Sequence, residues 1–482
     1  MSEFSTLLAE LIRTKDVNVN GLSSYCGVDR STMYKLINGK RNPGSLEMVR
    51  KITDYLRLTP IEAREMAEAY ETTRLGREVY YSRKDVLEFI LNFQEIQSAP
   101  EVSVVSGEEF TFSESNASAF PLNGRMSIVA AIQNIIMREA VFPQGELCIL
   151  AQPMQLEKLG IISLLSISHK ELSVRHVICL NNSSSPGRSQ HNYNLQCLKK
   201  IIPFYGTGCR YQPAYYYDNV SSHFNGFNFM PCIFLTTQAA VICDTKLNNG
   251  FLFQTDALLQ PIRNQFHEVW NNSSPLMQSF ESSLDFHLQK FPASLSANPD
   301  TYVLSFEPCF GSCLTMEMVE KYLSDDIPNR PSFLSQLSSY LQPISRGWIN
   351  NYFSRNGLLQ FLKTGLLYEI PPALYRPIEY ADRVRLLKKY RLLAGSGRDL
   401  RLFQGALDDF PPNFHLAISA GSGYLMFVNQ KGQYSYLILE EQNLLRAFYD
   451  FASSLDQSEL VHSGLETDNF LNELIRNEGG NE

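Results

Sequence analysis

Between Gly27 and Pro43 the chain reads Gly-Val-Asp-Arg-Ser-Thr-Met-Tyr-Lys-Leu-Ile-Asn-Gly-Lys-Arg-Asn-Pro, a segment dense in side chains suited to one task. Arg30, Ser31, Thr32, Tyr34, Lys35 and Asn38 would share the outward side of one short helix, and Lys40 and Arg41 follow it as two cations. Donors on a helix face followed by point charges suit hydrogen bonds to base edges in a major groove and contacts to the flanking phosphates. The first positions of such a helix reach the bases, so Arg30, Ser31 and Thr32 are the readout candidates, with Lys35 next. Lys40 and Arg41 are better placed for phosphates. Val28, Met33, Leu36 and Ile37 would face a core. The alternative is an ordinary helical bundle with a solvated basic face.

Several local elements must hold that face. Thr6–Arg13 carries Leu7, Leu8, Leu11 and Ile12 at helical spacing, and a second helix is expected over about Asn20–Tyr25. Gly27 supplies a turn, Asp29 can cap a helix over Arg30–Ile37, and Asn38-Gly39 ends it. Ser45 opens a fourth helix, and Thr59-Pro60-Ile61-Glu62 reads as a capping box for a fifth. Ser82–Asp85 resembles a further helix start, followed by Val86, Leu87, Ile90, Leu91 and Phe93.

The run from Gly27 to Pro43, continued by Ser45-Leu46 and Leu58-Thr59-Pro60, resembles the turn and recognition helix of Cro/CI-type (XRE family) helix-turn-helix transcriptional regulators. The resemblance covers residues 5–73. It implies a bacterial transcription regulator that binds double-stranded DNA as a homodimer, through an all-α domain at residues 1–75. The resemblance has one departure. Family members commonly carry Thr-Gln at the start of the second helix, where this chain has Asn18 and Val19. Either Asn20 replaces the glutamine contact to the phosphate backbone or affinity is lower.

Charge agrees when read locally. The 482-residue chain carries −8, but Gly21–Arg57 holds seven Lys and Arg against three Asp and Glu, leaving a small basic module on an acidic body. The chain length suggests roughly three units of about 150 residues. No apolar run is long enough to span a bilayer, and no membrane partner is expected. The nine cysteines show no framework, and Cys309 and Cys313 lack the second close pair of a zinc site. Reduced thiols in a cytoplasmic protein, with no metal and no cofactor, are the expectation.

Beyond residue 75 a helical connector and linker is expected to residue 124, then a large mixed α/β body divided as 125–295 and 296–482. Leu198-Lys199-Lys200 before Gly206-Thr-Gly208 is matched by Leu387-Lys388-Lys389 before Gly395-Ser-Gly397. The pattern continues with Phe229 and Ile233 against Phe414 and Ile418, Val241-Ile242 against Met426-Phe427, and Phe251 and Phe253 against Tyr436 and Ile438. Leu259 and Phe266 then match Leu444 and Phe451. Either the halves are similar or two unrelated α/β segments share common grammar. A duplicated α/β body is similar to phospholipase D-like folds, which some regulators use as sensors. However, no histidine has lysine two places on, and no P-loop, H-E-x-x-H, G-x-S-x-G or G-x-G-x-x-G occurs.

The eight histidines, His169, His176, His191, His223, His267, His287, His415 and His462, show no metal or triad spacing. No catalytic residue is therefore nominated, and the body is read as a sensor of a small-molecule or protein effector rather than an enzyme. A cleft between the halves would hold the ligand. The alternatives are a DNA-tethered scaffold or an enzyme with an unrecognised activity. The aromatic run Tyr211–Asp218, with Phe224, Phe227 and Phe229, lines either a pocket or a β-sheet core.

Overall fold

The computed structural model describes residues 2–98, 118–167, 172–182, 192–220, 229–280, 300–346, 349–394, 399–429 and 431–479. Gly395–Gly397, four histidines (169, 191, 223, 287), Phe224, Phe227 and most of the expected linker lie outside these residues. Two compact units form: residues 1–85, and a second built from Val86–Ser183 and Tyr193–Glu482.

The first unit is helical: α1 (Glu3–Thr14), α2 (Val19–Cys26), α3 (Arg30–Ile37), α4 (Leu46–Tyr55) and α5 (Pro60–Leu75). Each start has a local cause. The side chains of Ser2, Asn18, Asp29, Ser45 and Thr59 accept backbone N–H bonds at the five N-termini, and Thr59 with Glu62 completes a reciprocal capping box. Phe4, Leu8, Leu22, Met33, Leu36, Val49, Ile52 and Met66 form the core. Burying each such side chain is worth about 1.5–3 kcal/mol, which holds helices too short to persist alone.

Next come α6 (Arg77–Leu91) and α7 (Phe93–Gln97). The helix expected to start near Ser82 begins instead right after Gly76, whose φ of +86° ends α5. Val86, Phe89, Ile90 and Phe93, at i, i+3, i+4 and i+7, are fully buried in the core of the second unit, with Leu87 and Leu91 packed against it.

That unit contains two mixed sheets. The first holds β1 (Ala119–Asn123), β2 (Glu146–Leu150), β3 (Ser173–Leu180), β4 (Arg210–Tyr217), β5 (Cys232–Leu235), β6 (Ala240–Cys243), β7 (Asn249–Phe253) and β8 (Ser274–Pro275), in the order β1-β7-β6-β5-β2-β3-β4-β8. The second holds β9 (Met277–Phe280), β10 (Thr301–Ser305), β11 (Ile349–Phe353), β12 (Leu400–Leu402), β13 (Phe414–Ile418), β14 (Gly423–Val428) and β15 (Tyr434–Leu439), in the order β12-β11-β10-β13-β14-β15-β9.

The two orders are one topology. In each sheet a central strand, β2 or β10, has two successive parallel neighbours on one side. On the other side runs an antiparallel meander closed by the strand that precedes the set, β1 or β9. Two edges of the sequence reading shift accordingly. Ala119–Asn123, placed in the linker, is a strand at the sheet edge, where Pro121 leaves no ladder bond unmade. Met277–Phe280, placed in the first half, pairs with β15 in the second sheet.

Helices cover these sheets: α8 (Arg125–Glu139), α9 (Pro153–Lys158), α10 (Ile161–Ile167), α11 (Tyr193–Ile201) and α12 (Asp256–Asn271) in the first half. The second half has α13 (Met316–Tyr322), α14 (Arg330–Arg346), α15 (Arg355–Thr364), α16 (Tyr380–Ala394), α17 (Gln442–Ser454) and α18 (Gly464–Gly479). One apolar core runs through both halves, and the place expected to be a ligand cleft is filled. Phe93 packs against Phe414 with ring centroids 4.4 Å apart and the rings tilted by 43°, and meets Phe427 at 5.2 Å, while Phe89 meets Phe448 at 5.5 Å. Ile90 is fully buried in the same core, and Leu87 and Leu91 pack partly buried against it.

Candidate nucleic-acid interface

Helices α2 and α3 are joined by three residues with defined jobs. Gly27 adopts φ +71°, a left-handed conformation that costs glycine nothing. Its N–H reaches Ser24 and the Val28 N–H reaches Ser23, closing the last carbonyls of α2. Asp29 then caps α3, accepting from the Thr32 N–H at 2.8 Å and the Thr32 hydroxyl at 2.8 Å. These bonds hold the Asp29 carboxyl below its ordinary range, keeping it anionic at the positive end of the helix. At the far end Gly39, φ +69°, lets the Lys40 N–H return 2.8 Å to the Lys35 carbonyl.

Met33 and Leu36 are buried in the core, with Val28 and Ile37 packed against it. Helical periodicity then turns Arg30, Ser31, Tyr34, Lys35 and Asn38 outward, and all five are exposed, as are Lys40 and Arg41. Thr32 is half-buried and its hydroxyl proton is committed to Asp29, making it a cap partner as well as a surface group. The Arg30 guanidinium lies over the Tyr34 ring, 5.5 Å from its centroid, which steadies a long side chain along the helix surface. That pair was not singled out in the sequence, although its i, i+4 spacing was visible. Among the described residues no carboxylate pairs with Arg30, Lys35, Lys40 or Arg41, whereas Lys51 is paired with Glu47 at 2.9 Å. Asn18 serves as the cap of α2, Val19 packs on the core, and Asn20 is exposed on the first turn.

The body brings together groups far apart in sequence. His415 Nε2 meets the Tyr424 hydroxyl at 2.8 Å, and its Nδ1 lies 2.8 Å from Glu369 Oε1. The first contact spans a β-hairpin; the second has no local signal at all. His176 is fully buried between the Tyr211 hydroxyl, 2.7 Å away, and the Ala151 carbonyl, 2.9 Å away; burial drives its pKa down to about 4. Tyr211 and Tyr215 belong to the core, and Phe229 is exposed. All nine cysteines are unpaired thiols, and among the described residues no three His, Cys, Asp or Glu side chains cluster to hold a metal. No helix among these residues is long and apolar enough to cross a membrane.

No family model matches this chain, and no curated protein matches it. Among solved structures it is similar to TrmBL2, an archaeal chromatin protein described as showing a novel mode of DNA binding, at 10% identity over 54% of this chain and 87% of that one, with a TM-score of 0.21. It is also similar to phosphatidylserine synthase from Haemophilus influenzae Rd KW20, at 12% identity over 75% of this chain and 94% of that one, TM-score 0.20. Polyphosphate kinase from Porphyromonas gingivalis matches at 10% identity over 74% of this chain and 56% of that one, TM-score 0.20. Superposition at this level leaves function to the chain's own residues.

Proposed function

We propose that this protein is a sequence-specific DNA-binding transcriptional regulator. Its first unit acts as a Cro/CI-type helix-turn-helix domain, and its α/β body senses an effector instead of catalysing a reaction. The observation that carries the reading is α3: eight residues with Met33 and Leu36 buried and Arg30, Ser31 and Lys35 exposed, followed at once by exposed Lys40 and Arg41. With side chains an α-helix is about 10–12 Å across, which a major groove about 12 Å wide admits. A lone reading helix contacts few bases, so the protein acts as a cytoplasmic homodimer on paired half-sites about 34 Å apart. Its dimer contacts lie outside the face of Ile90, which is buried, and of Leu87 and Leu91, which pack partly buried against the core. In support of a sensing body, both ring nitrogens of His176 are engaged by neighbouring groups.

The test is selection of random duplex DNA on the full-length protein, followed by footprinting of the enriched sequence. A recovered site with two similar halves supports the reading. Absence of enrichment over non-specific binding, at low and physiological salt, overturns it.

A further inference from the structure

Arg30 and Arg77 each lie over a tyrosine one helical turn further on, but their surroundings differ. The Arg77 guanidinium stands 5.5 Å from the Tyr81 ring centroid, and the Arg30 guanidinium stands 5.5 Å from that of Tyr34. Arg77 is also paired with Glu3, 2.9 Å away, and the Tyr81 hydroxyl reaches Glu68 at 3.2 Å. That pair is complete within the protein. Arg30 has the ring and nothing more. Among the described residues no acceptor bonds its guanidinium, and nothing bonds the Tyr34 hydroxyl. The neighbouring carboxylate, Asp29, has one oxygen on the Thr32 N–H and the other on the Thr32 hydroxyl.

The place of Arg30 runs against local electrostatics. It is the first residue of α3, where the helix dipole disfavours a cation, and the first turn holds no acidic residue. A charge that breaks a local rule with no partner inside the protein marks a position shaped for something outside it. Helix geometry explains the ring. A helical side chain leans toward the N-terminus, so Tyr34, 40% exposed, covers the turn that carries Arg30. The ring attracts the guanidinium through its π face and takes none of its five N–H donors. The side chain is thus steadied on the helix surface with its fork of donors free.

We propose that Tyr34 is a positioning residue that presents Arg30 to one guanine of the operator. The inference rests on the regulator reading above and names a base that α3 reads. A planar fork of paired donors matches O6 and N7 of guanine, the two acceptors side by side on its major-groove edge. Adenine sets a donor beside N7, cytosine presents a donor, and thymine has one acceptor beside a methyl group, so no other base takes both bonds.

The test uses the full chain and the duplex recovered by selection, with each base pair changed in turn. The position sensitive to Arg30→Ala is expected to be a G·C pair. Replacing its guanine by 7-deazaguanine, which removes only the N7 acceptor, should weaken binding by the parent and leave binding by Arg30→Ala unaltered. Tyr34→Leu should lower affinity for the guanine operator by about two- to fivefold, leave affinity for duplexes changed at that position unaltered, and add nothing to Arg30→Ala in the double variant. Tyr34→Phe, which keeps the ring, should retain the guanine preference. Tyr34 lies outside the core, so Tyr34→Leu should melt like the parent. A base other than guanine at the sensitive position, additive losses in the double variant, a Tyr34→Leu loss equal on all sequences, or Tyr34→Phe as weak as Tyr34→Leu overturns this inference and leaves the regulator reading standing. Failure of the selection to enrich any site overturns both.

Discussion

The hydroxyl of Tyr217, at the end of β4, donates to the carboxylate of Glu441, the buried cap of α17 in the other half of the body. The same carboxylate accepts the Asn443 N–H at 3.1 Å and the Leu444 N–H at 2.6 Å. One acidic side chain therefore starts a helix and ties the two halves together. Removing the phenolic proton leaves a buried carboxylate short of a donor, at a cost of about 1–3 kcal/mol. Tyr217→Phe should lower the denaturant midpoint of the second unit accordingly. A variant within about 0.5 kcal/mol of the parent would show that the bond is incidental.

Gly357, near the start of α15, stands where a β-carbon would overlap the carbonyl oxygen of Phe306. Ser354 draws the helix onto that strand end: its hydroxyl donates to the Phe306 carbonyl at 3.0 Å and accepts the Gly357 N–H at 2.8 Å. Backbone, unlike a flexible side-chain tip, cannot yield. Gly357→Ala should destabilise by about 1–3 kcal/mol or more, read by urea denaturation. Gly421→Ala, where a β-carbon meets nothing within 4 Å, should be near neutral. Equal effects would sink the steric explanation.

The difference between what the sequence revealed and what it hid follows the range of the interactions. Asn18, Asp29, Ser45 and Thr59 cap helices through bonds to residues no more than three positions on, so the first unit could be read helix by helix. The repeated topology showed itself along the β5–β6–β7 and β13–β14–β15 meanders, which keep a nearly constant offset. It faded between β10 and β12, where the second half adds a helix. β1 was hidden because Pro121 reads as a breaker, and only the edge position makes it tolerable. The start of α6 was hidden because Arg77–Asp85 lacks an apolar stripe. The Gln97–Asn413 pair joins residues 316 positions apart, and no spacing rule reaches it.

Two buried groups give the second unit opposing pH dependences. His176 has its pKa driven down to about 4 by burial. Unfolded chains then bind a proton that the folded chain does not, so stability is present above an ordinary pKa near 6.5 and falls as pH drops from there toward 4. The full swing is about 3 kcal/mol. Glu307 behaves oppositely. Burial, with Glu369 nearby, raises its pKa to about 8, so its contribution is present at low pH and is lost as pH rises through 8. Denaturation curves should be nearly flat between about pH 5 and 6.5 and weaken toward pH 8. Glu307→Gln should abolish the alkaline slope and keep the acidic one. An alkaline slope unchanged in that variant would assign it elsewhere.

The roles assigned to Arg30 and Lys40 differ in a way binding can resolve. Arg30 opens α3, on the turn that would meet base edges, with its guanidinium held over Tyr34. Lys40 follows the helix, anchored by its own N–H to Lys35 and exposed beyond it. A base contact is lost only where the base is right, so Arg30→Ala should cost about 1–3 kcal/mol at one operator position and little on other sequences. A phosphate contact is lost everywhere, so Lys40→Ala should weaken all sequences alike and reduce the slope of log K against log salt by about 1. Alanine is a good helix former and neither side chain enters the core, so both variants should melt like the parent. Titrations of the selected operator, of single-position variants of it and of unrelated duplex, each at several salt concentrations, separate the two patterns. If both substitutions produced the same sequence-independent loss, α3 would lie along the backbone and the bases would be read by another element.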